Sequence, residues 1–222
     1  MSVHYIFKIL TLGGYCAGKT CIITRFVDGI FHENQLPTIG IDYKTKYVKL
    51  ANGKKAKLLI WDTAGPEYIN ITRQYFKGAN GIILIYDITN KDSFKKVDFY
   101  INEIKENGFY EGIPIFLVGN KIDEEYRRVI TFEEGARLAK EHGFMFCECS
   151  AKTGENIDFI FNKLINEMQQ KFEENEINNE EPEKIEEEKE KQLKRIESEE
   201  KQKKICANLL KSFIFLIYEL YI

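Results

Sequence analysis

The sequence predicts an α/β fold, a mostly parallel six-stranded sheet with helices on both faces, and three observations carry that expectation. Short apolar runs alternate with amphipathic stretches of helical length along the first 170 or so residues. The middle runs are apolar almost throughout, as strands covered on both faces are. A glycine-rich loop joins the first run to the first helical stretch. In order, Tyr5 to Leu12 is a strand and 18–28 a helix. A strand from Asp42 to Leu50 then turns through Asn52-Gly53 into Lys57 to Asp62, and an Asn-Gly turn favours an antiparallel hairpin. A helix near 67–77, a strand from Gly81 to Asp87, a helix over 91–107 and a strand from Ile113 to Gly119 follow. A helix over 131–142, a strand from Phe144 to Ser150 and a helix from about 155 complete the alternation. Repeated strand–helix–strand units give parallel pairing through right-handed crossovers, and ligands of such sheets lie beyond the carboxyl ends of the strands.

Composition limits what else the chain can be. In 222 residues, 44% hydrophobic and 30% charged, there is material for one full-sized core and an appendage. A formal charge of -3, from 32 Lys and Arg against 35 Asp and Glu, offers no field for gripping nucleic acid. The five cysteines, Cys16, Cys21, Cys147, Cys149 and Cys206, show neither C-x-x-C spacing nor a nearby histidine pair, so a reducing, cytoplasmic compartment is expected. The N-terminus lacks the pattern of a secretory signal, and Ser2 removes myristoylation. All 15 glycines lie at or before Gly154, while residues 173–204 hold 13 Glu and 8 Lys or Arg and no aromatic side chain. That segment buries too little apolar surface to build a core. The expected organisation is a domain over 1–172, a charged linker over 173–204 and an apolar tail over 205–222, the whole a monomer.

The chemistry begins at Gly13-Gly14-Tyr15-Cys16-Ala17-Gly18-Lys19-Thr20, which fits G-x-x-x-x-G-K-[ST] between a strand and a helix. Backbone N–H groups there wrap phosphates at the helix N-terminus. Lys19 brings a cation to the terminal phosphates and the Thr20 hydroxyl ligates Mg2+. Gly13, Tyr15, Cys16, Ala17, Gly18, Lys19, Thr20 and Cys21 are the candidate contacts of this loop. The base is named further along, by Asn120-Lys121-Ile122-Asp123. A buried carboxylate at Asp123 accepts from both N1–H and N2–H of guanine, which adenine cannot satisfy. The stem of Lys121 lies along the base, and Ser150-Ala151-Lys152 offers the Ala151 N–H to O6.

With these motifs in order, the sequence resembles the Ras superfamily of small GTPases, and within it the Rab family, over roughly residues 5 to 172. Ile39-Gly40-Ile41-Asp42-Tyr43-Lys44, Lys57-Leu58-Leu59-Ile60-Trp61-Asp62-Thr63-Ala64-Gly65, Tyr75-Phe76-Lys77-Gly78-Ala79 and Tyr86-Asp87-Ile88-Thr89 look like the segments that set Rabs apart. The resemblance implies the P-loop G-domain fold, GTP or GDP with Mg2+ as ligands, and a role as a switch in vesicle trafficking. Thr38 would reach Mg2+ only when the γ-phosphate is present, Asp62 would hold the same ion, and the Gly65 N–H would meet the γ-phosphate. Phe31 matches the aromatic that packs edge-on against the guanine, its plainer reading being an ordinary buried Phe. Effectors, an exchange factor and an activating protein are expected at Ile39 to Tyr43 and Trp61 to Tyr75, on the cytosolic face of endomembranes.

Two departures stand against the family pattern. Where Rab-like proteins usually carry Gln after D-T-A-G, this chain has Pro66, which offers neither a side-chain donor nor an N–H. Tyr15 and Cys16 replace small residues of the phosphate loop, and Tyr15 would crowd the entry of a water-positioning group. Binding is thus retained while hydrolysis rests on Lys19 and Thr38, so a slow GTPase is expected. The alternatives are an activator that supplies the missing groups and an essentially non-hydrolysing, GTP-bound interaction module. The second departure is that Cys206 is followed by sixteen residues, leaving no terminal prenylation motif, although Cys206-Ala207-Asn208-Leu209 would be one if the chain stopped at Leu209. As written, Asn208, Lys211, Ser212 and Glu219 gather on one side of a helical wheel, which suits an interfacial helix at a membrane surface, helped by Lys201, Lys203 and Lys204. Docking on the domain, or disorder, is the other reading of the tail.

Overall fold

A computed structural model describes residues 3–36, 38, 40–63, 76–108 and 112–178. The expected helix near 67–77 therefore falls outside the described residues except at its last two positions, as do Gly65, Pro66, Ile39 and everything after 178. The chain divides into two units after Glu174.

The first unit is built on six strands, β1 (Tyr5–Gly13), β2 (Ile41–Lys49), β3 (Lys55–Thr63), β4 (Gly81–Asp87), β5 (Ile115–Asn120) and β6 (Met145–Cys149), in the order β2-β3-β1-β4-β5-β6. Only β2 runs antiparallel, to β3, through the hairpin that Asn52-Gly53 predicts. Every other pairing is parallel. The helices are α1 (Lys19–Asp28), α2 (Lys91–Glu106), α3 (Phe132–His142) and α4 (Ile157–Asn178). The six-stranded, mostly parallel sheet and its helices match the fold class expected from sequence.

The differences lie at element ends, and each has a local cause. The fifth strand begins at Ile115 and not at Ile113, because Pro114 has no N–H to give the ladder and contributes only its carbonyl, to Ile82 N–H (3.1 Å). Phe144 belongs to the end of α3: its N–H closes that helix on the Ala139 carbonyl (2.8 Å). Thr131 stands outside α3 as its N-cap, in a reciprocal capping box with Glu134. A 3-10 helix over Ile122–Arg127 was not expected from the sequence.

All seven residues of β4 and all six of β5 are buried, as strands covered on both faces must be. On one face α1 and α4 share a core with Phe7, Ile9, Ile83, Ile85, Phe116 and Val118, and Phe26 stacks on Phe161 with ring centroids 3.8 Å apart. Alternation sends Leu10, Leu12, Leu84 and Leu117 to the opposite face, where α2 packs on β4 and β1 and α3 on β6 and β5. At the end of the sheet where β1 begins, Glu173 of α4 accepts from Tyr5 Oη (2.8 Å), Gln169 Nε2 (3.0 Å) and Asn52 Nδ2 (3.2 Å). Among the described residues no helix is long and apolar enough to cross a membrane.

Candidate functional site

The carboxyl ends of β1, β4, β5 and β6 lie level with one another, and beyond them opens a cavity of about 420 Å3. Tyr15, Cys16, Gly18, Lys19, Thr20, Cys21, Phe31, Thr38, Asn120, Lys121, Asp123, Ala151 and Lys152 line it. Gly13, Ala17 and Ser150 do not; they stand behind the wall as parts that shape it. His32, Glu33, Gln35 and Leu36 also line the cavity, and no motif marked them.

The loop after β1 is held open by glycines at two points. A Cβ on Gly13 would come within 2.2 Å of the Ile85 carbonyl oxygen, and one on Gly18, at φ 91°, within 2.2 Å of Asn120 Nδ2. Between them Cys16 takes the left-handed conformation with a side chain (φ 57°), which costs about 1–2 kcal/mol. Gly18 caps α1 with no side-chain acceptor, and the first turn of α1 contains no acidic residue. The N–H groups of that turn are thus left for an external anion. Lys19 is nearly buried and donates from Nζ to the carbonyls of Gly13 (2.9 Å) and Gly14 (3.0 Å). From the opposite side the Tyr100 hydroxyl of α2 donates to the Gly13 carbonyl (2.9 Å). Tyr100 went unnoticed in the sequence because it is 87 residues from its partner.

At the other side of Lys19, three oxygen-bearing residues converge. Thr20 Oγ1 donates to Asp62 Oδ2 (2.6 Å), Thr38 Oγ1 donates to the same oxygen (3.0 Å), and the two hydroxyl oxygens lie 2.9 Å apart. The second oxygen of Asp62, Oδ1, is buried with no hydrogen-bond partner. Burial pushes the Asp62 carboxyl above the usual carboxylate range, while Thr20, Thr38 and Lys19 pull it back down. A raised carboxyl stabilises the fold at low pH and weighs against it once ionised. Among the described residues no cluster of three or more His, Cys, Asp or Glu is placed to hold a metal, so hydroxyls and one carboxylate are the oxygen donors here.

The base-reading loops are tied to the phosphate loop through Asn120. Its buried side chain donates from Nδ2 to the Ala17 carbonyl (2.9 Å), while Oδ1 accepts from the Ala151 N–H (3.1 Å) and from Cys149 Sγ (3.7 Å). Lys121 follows in the left-handed conformation (φ 76°), and its ammonium is held 2.7 Å from Asp87 Oδ2 at the end of β4. Asp87 Oδ1 in turn accepts from the Thr89 N–H (2.8 Å) and hydroxyl (2.7 Å). The Asp and Thr of Tyr86-Asp87-Ile88-Thr89 therefore orient Lys121, a role the sequence pattern did not disclose. Asp123 is half-buried and not fully buried; its Oδ1 accepts from Ser150 Oγ (2.6 Å), which itself accepts from the Thr153 N–H (3.0 Å). Phe31 is only partly buried, so it is not an ordinary buried Phe: it packs against the core and also lines the cavity. In the expected partner surface, Tyr43 stacks on Trp61 with centroids 5.2 Å apart.

Asn120 is expected to matter before any ligand binds. Asn120→Ala removes the donor to Ala17 and the acceptor of Ala151, and should lower the unfolding free energy of the ligand-free protein by about 2–4 kcal/mol in urea titration. No loss would mean that Asn120 is a ligand contact alone.

The Ras family model matches residues 8–170. The Ras-related protein Rab-13 of Mesocricetus auratus is 44% identical over 165 residues, covering 74% of this chain and 80% of that protein. Rab-26 of Rattus norvegicus is 41% identical over 167 residues, with 74% of this chain and 64% of the relative covered. Rab-10 of Diplobatis ommata is 44% identical over 167 residues, with 75% and 82% covered. A shared phosphate loop alone would give neither the length nor the identity of these matches: the chain belongs to the Ras family of small GTPases and is Rab-like within it.

Proposed function

We propose that the protein is a Rab-like switch of membrane trafficking that binds GTP or GDP with Mg2+ in the cavity at the strand ends and hydrolyses GTP slowly. The observation that carries the binding half is the oxygen corner beside an uncapped helix N-terminus. Two adjacent oxygens on an octahedral Mg2+, with bonds of 2.0–2.1 Å, are about 2.9 Å apart. That is the separation of Thr20 Oγ1 and Thr38 Oγ1, and the unpartnered Asp62 oxygen supplies the negative charge a cation needs. Thr20, Thr38 and Asp62 would hold the ion, which when bound neutralises charge on the phosphate oxygens.

The other residues divide the nucleotide among them. The first-turn N–H groups of α1 and the Lys19 ammonium take the phosphates. Asp123 accepts from N1–H and N2–H, and the Ala151 N–H, shared with Asn120, meets O6. Lys121, its ammonium held by Asp87, lays its stem along one face of the base, and Phe31 packs edge-on. Thr38 and Gly65 order around the γ-phosphate, and that ordering is the signal effectors read through Ile39 to Tyr43 and Trp61 to Tyr75. Asp123→Ala should cost several kcal/mol of guanine-nucleotide affinity, because one carboxylate carries two hydrogen bonds. ATP at equal concentration should not displace labelled GDP from the parent protein; displacement would sink the guanine assignment.

Slow hydrolysis rests on Pro66, and on Tyr15, whose ring lines the cavity while half exposed. With no amide to orient the attacking water, catalysis is left to positioning by Lys19, Thr38 and the ion's charge. Single-turnover GTP hydrolysis by Pro66→Gln should run at least about tenfold faster than the parent, a barrier difference of about 1.4 kcal/mol, with GTP affinity little changed. Equal rates would return the parent to the ordinary hydrolysing switches. No turnover in the parent even with an activating protein would favour the second reading, a permanently GTP-bound interaction module.

The protein would act on the cytosolic face of endomembranes, its C-terminal segment meeting the lipid surface. Residues 201–222, basic and then apolar, support this. Full-length protein should sediment with anionic vesicles, less so as salt rises, and a chain ending at Lys204 should not; equal sedimentation of the two would refute the contact.

A further inference from the structure

Arg25 lies in the last turn of α1 and is not among the cavity-lining residues. Its guanidinium gathers three backbone carbonyls. Nε donates to Ala151 O (2.9 Å), Nη2 to Lys152 O (2.5 Å) and Nη1 to Gly29 O (2.9 Å). The first two belong to the loop proposed to meet the base. The third stands at the root of the segment that leads, within two residues, to Phe31 and then to Thr38. Gly154 closes the base loop over the arginine stem: a Cβ there would lie 3.6 Å from Arg25 Cδ, and the Gly154 N–H donates to the Ser150 carbonyl (2.9 Å). A planar fork spreads its donors in fixed directions over three separate carbonyls, whereas a lysine presents its donors from a single point. A second bridge between the same two pieces, Lys152 to Glu33 (3.2 Å), joins side chains that are both more than half exposed, where water and salt weaken it. Arg25 is the link with three hydrogen bonds, one of them, to Ala151 O, part-buried.

We infer that Arg25 is a positioning residue for guanine retention, fixing the O6-facing loop and the root of the Phe31 segment to the helix that carries Lys19 and Thr20. The inference rests on the guanine-binding reading above and deepens it. The two pieces that flank the base are held by one side chain that does not touch the nucleotide, so loosening either piece loosens the other. Removing the fork should speed release by freeing both, and it should do so through the base. The phosphate contacts, made from the opposite end of α1, should be unaffected.

The test follows release of mant-GDP from full-length, Mg2+-loaded protein after addition of excess GDP. Arg25→Gln should release at least about tenfold faster than the parent, and Arg25→Lys, which can reach one carbonyl, should fall between. Affinity for 2-aminopurine riboside diphosphate, whose base lacks O6 and N1–H but still meets Phe31, should fall by a smaller factor than affinity for mant-GDP in the same variants, because only the Phe31 root is then lost. Release of mant-GDP from Arg25→Gln at the parent rate would overturn the inference, and so would equal losses for the two nucleotides, the mark of general loosening. If Arg25→Gln fails to fold by circular dichroism, Arg25→Lys decides by the same comparison. A parent that takes up no mant-GDP overturns the guanine reading, and this inference with it.

Discussion

The buried amide of Asn120 joins the two halves of the cavity, and most of what surrounds it exists to keep it there. Asn120 ends β5, in register with Asp87 of β4 and Cys149 of β6, so three strands deliver their last residues to one line. From that line its side chain reaches Ala17 on one side and Ala151 on the other. Gly18 has no Cβ because the amide passes where it would be. A buried amide is tolerable only when its donors and acceptors are satisfied, and here satisfying them welds the phosphate loop to the base loop. The sheet sets the distance between the two loops, and the amide makes it rigid.

The corner formed by Thr20, Thr38 and Asp62 works by the opposite logic. There a carboxylate is buried beyond what its hydrogen bonds compensate, and one of its oxygens has no partner. The deficit is local and electrostatic, and the cation proposed above would meet it. Thr38 is the component that comes from outside the rigid block: Thr20 starts a helix and Asp62 lies in a strand, whereas Thr38 arrives on the segment between α1 and β2. An ion held as proposed above would couple Thr20 and Asp62 of the rigid block to a residue from another segment of the chain.

How much of this was legible in the sequence depended on whether the cause was local. Strands β4 and β5 were legible because burial on both faces writes itself as an unbroken apolar run. The phosphate loop was legible because backbone N–H groups can face an anion only with glycines at fixed positions. The 3-10 stretch over Ile122–Arg127 was not, since two short turns broken by a kink at Glu124 have no apolar period and are rich in acidic residues. Tyr100, Asp87 and Arg25 act on partners 87, 34 and 126 residues distant, and nothing in their neighbourhoods separates them from other surface or core residues. The same holds for the strand end at Ile115: Pro114 was visible, but the neighbour that lacks its donor is known only once β4 lies beside it.

The clamp on Glu173 has a mechanical consequence. Tyr5 and Asn52 hold α4 at the end of the sheet where β1 begins, and the cavity opens beyond the end where β1 stops. Glu173 thus lies at the pole of the first unit remote from the cavity. A load applied at Glu173 is therefore separated from the cavity by the full length of β1.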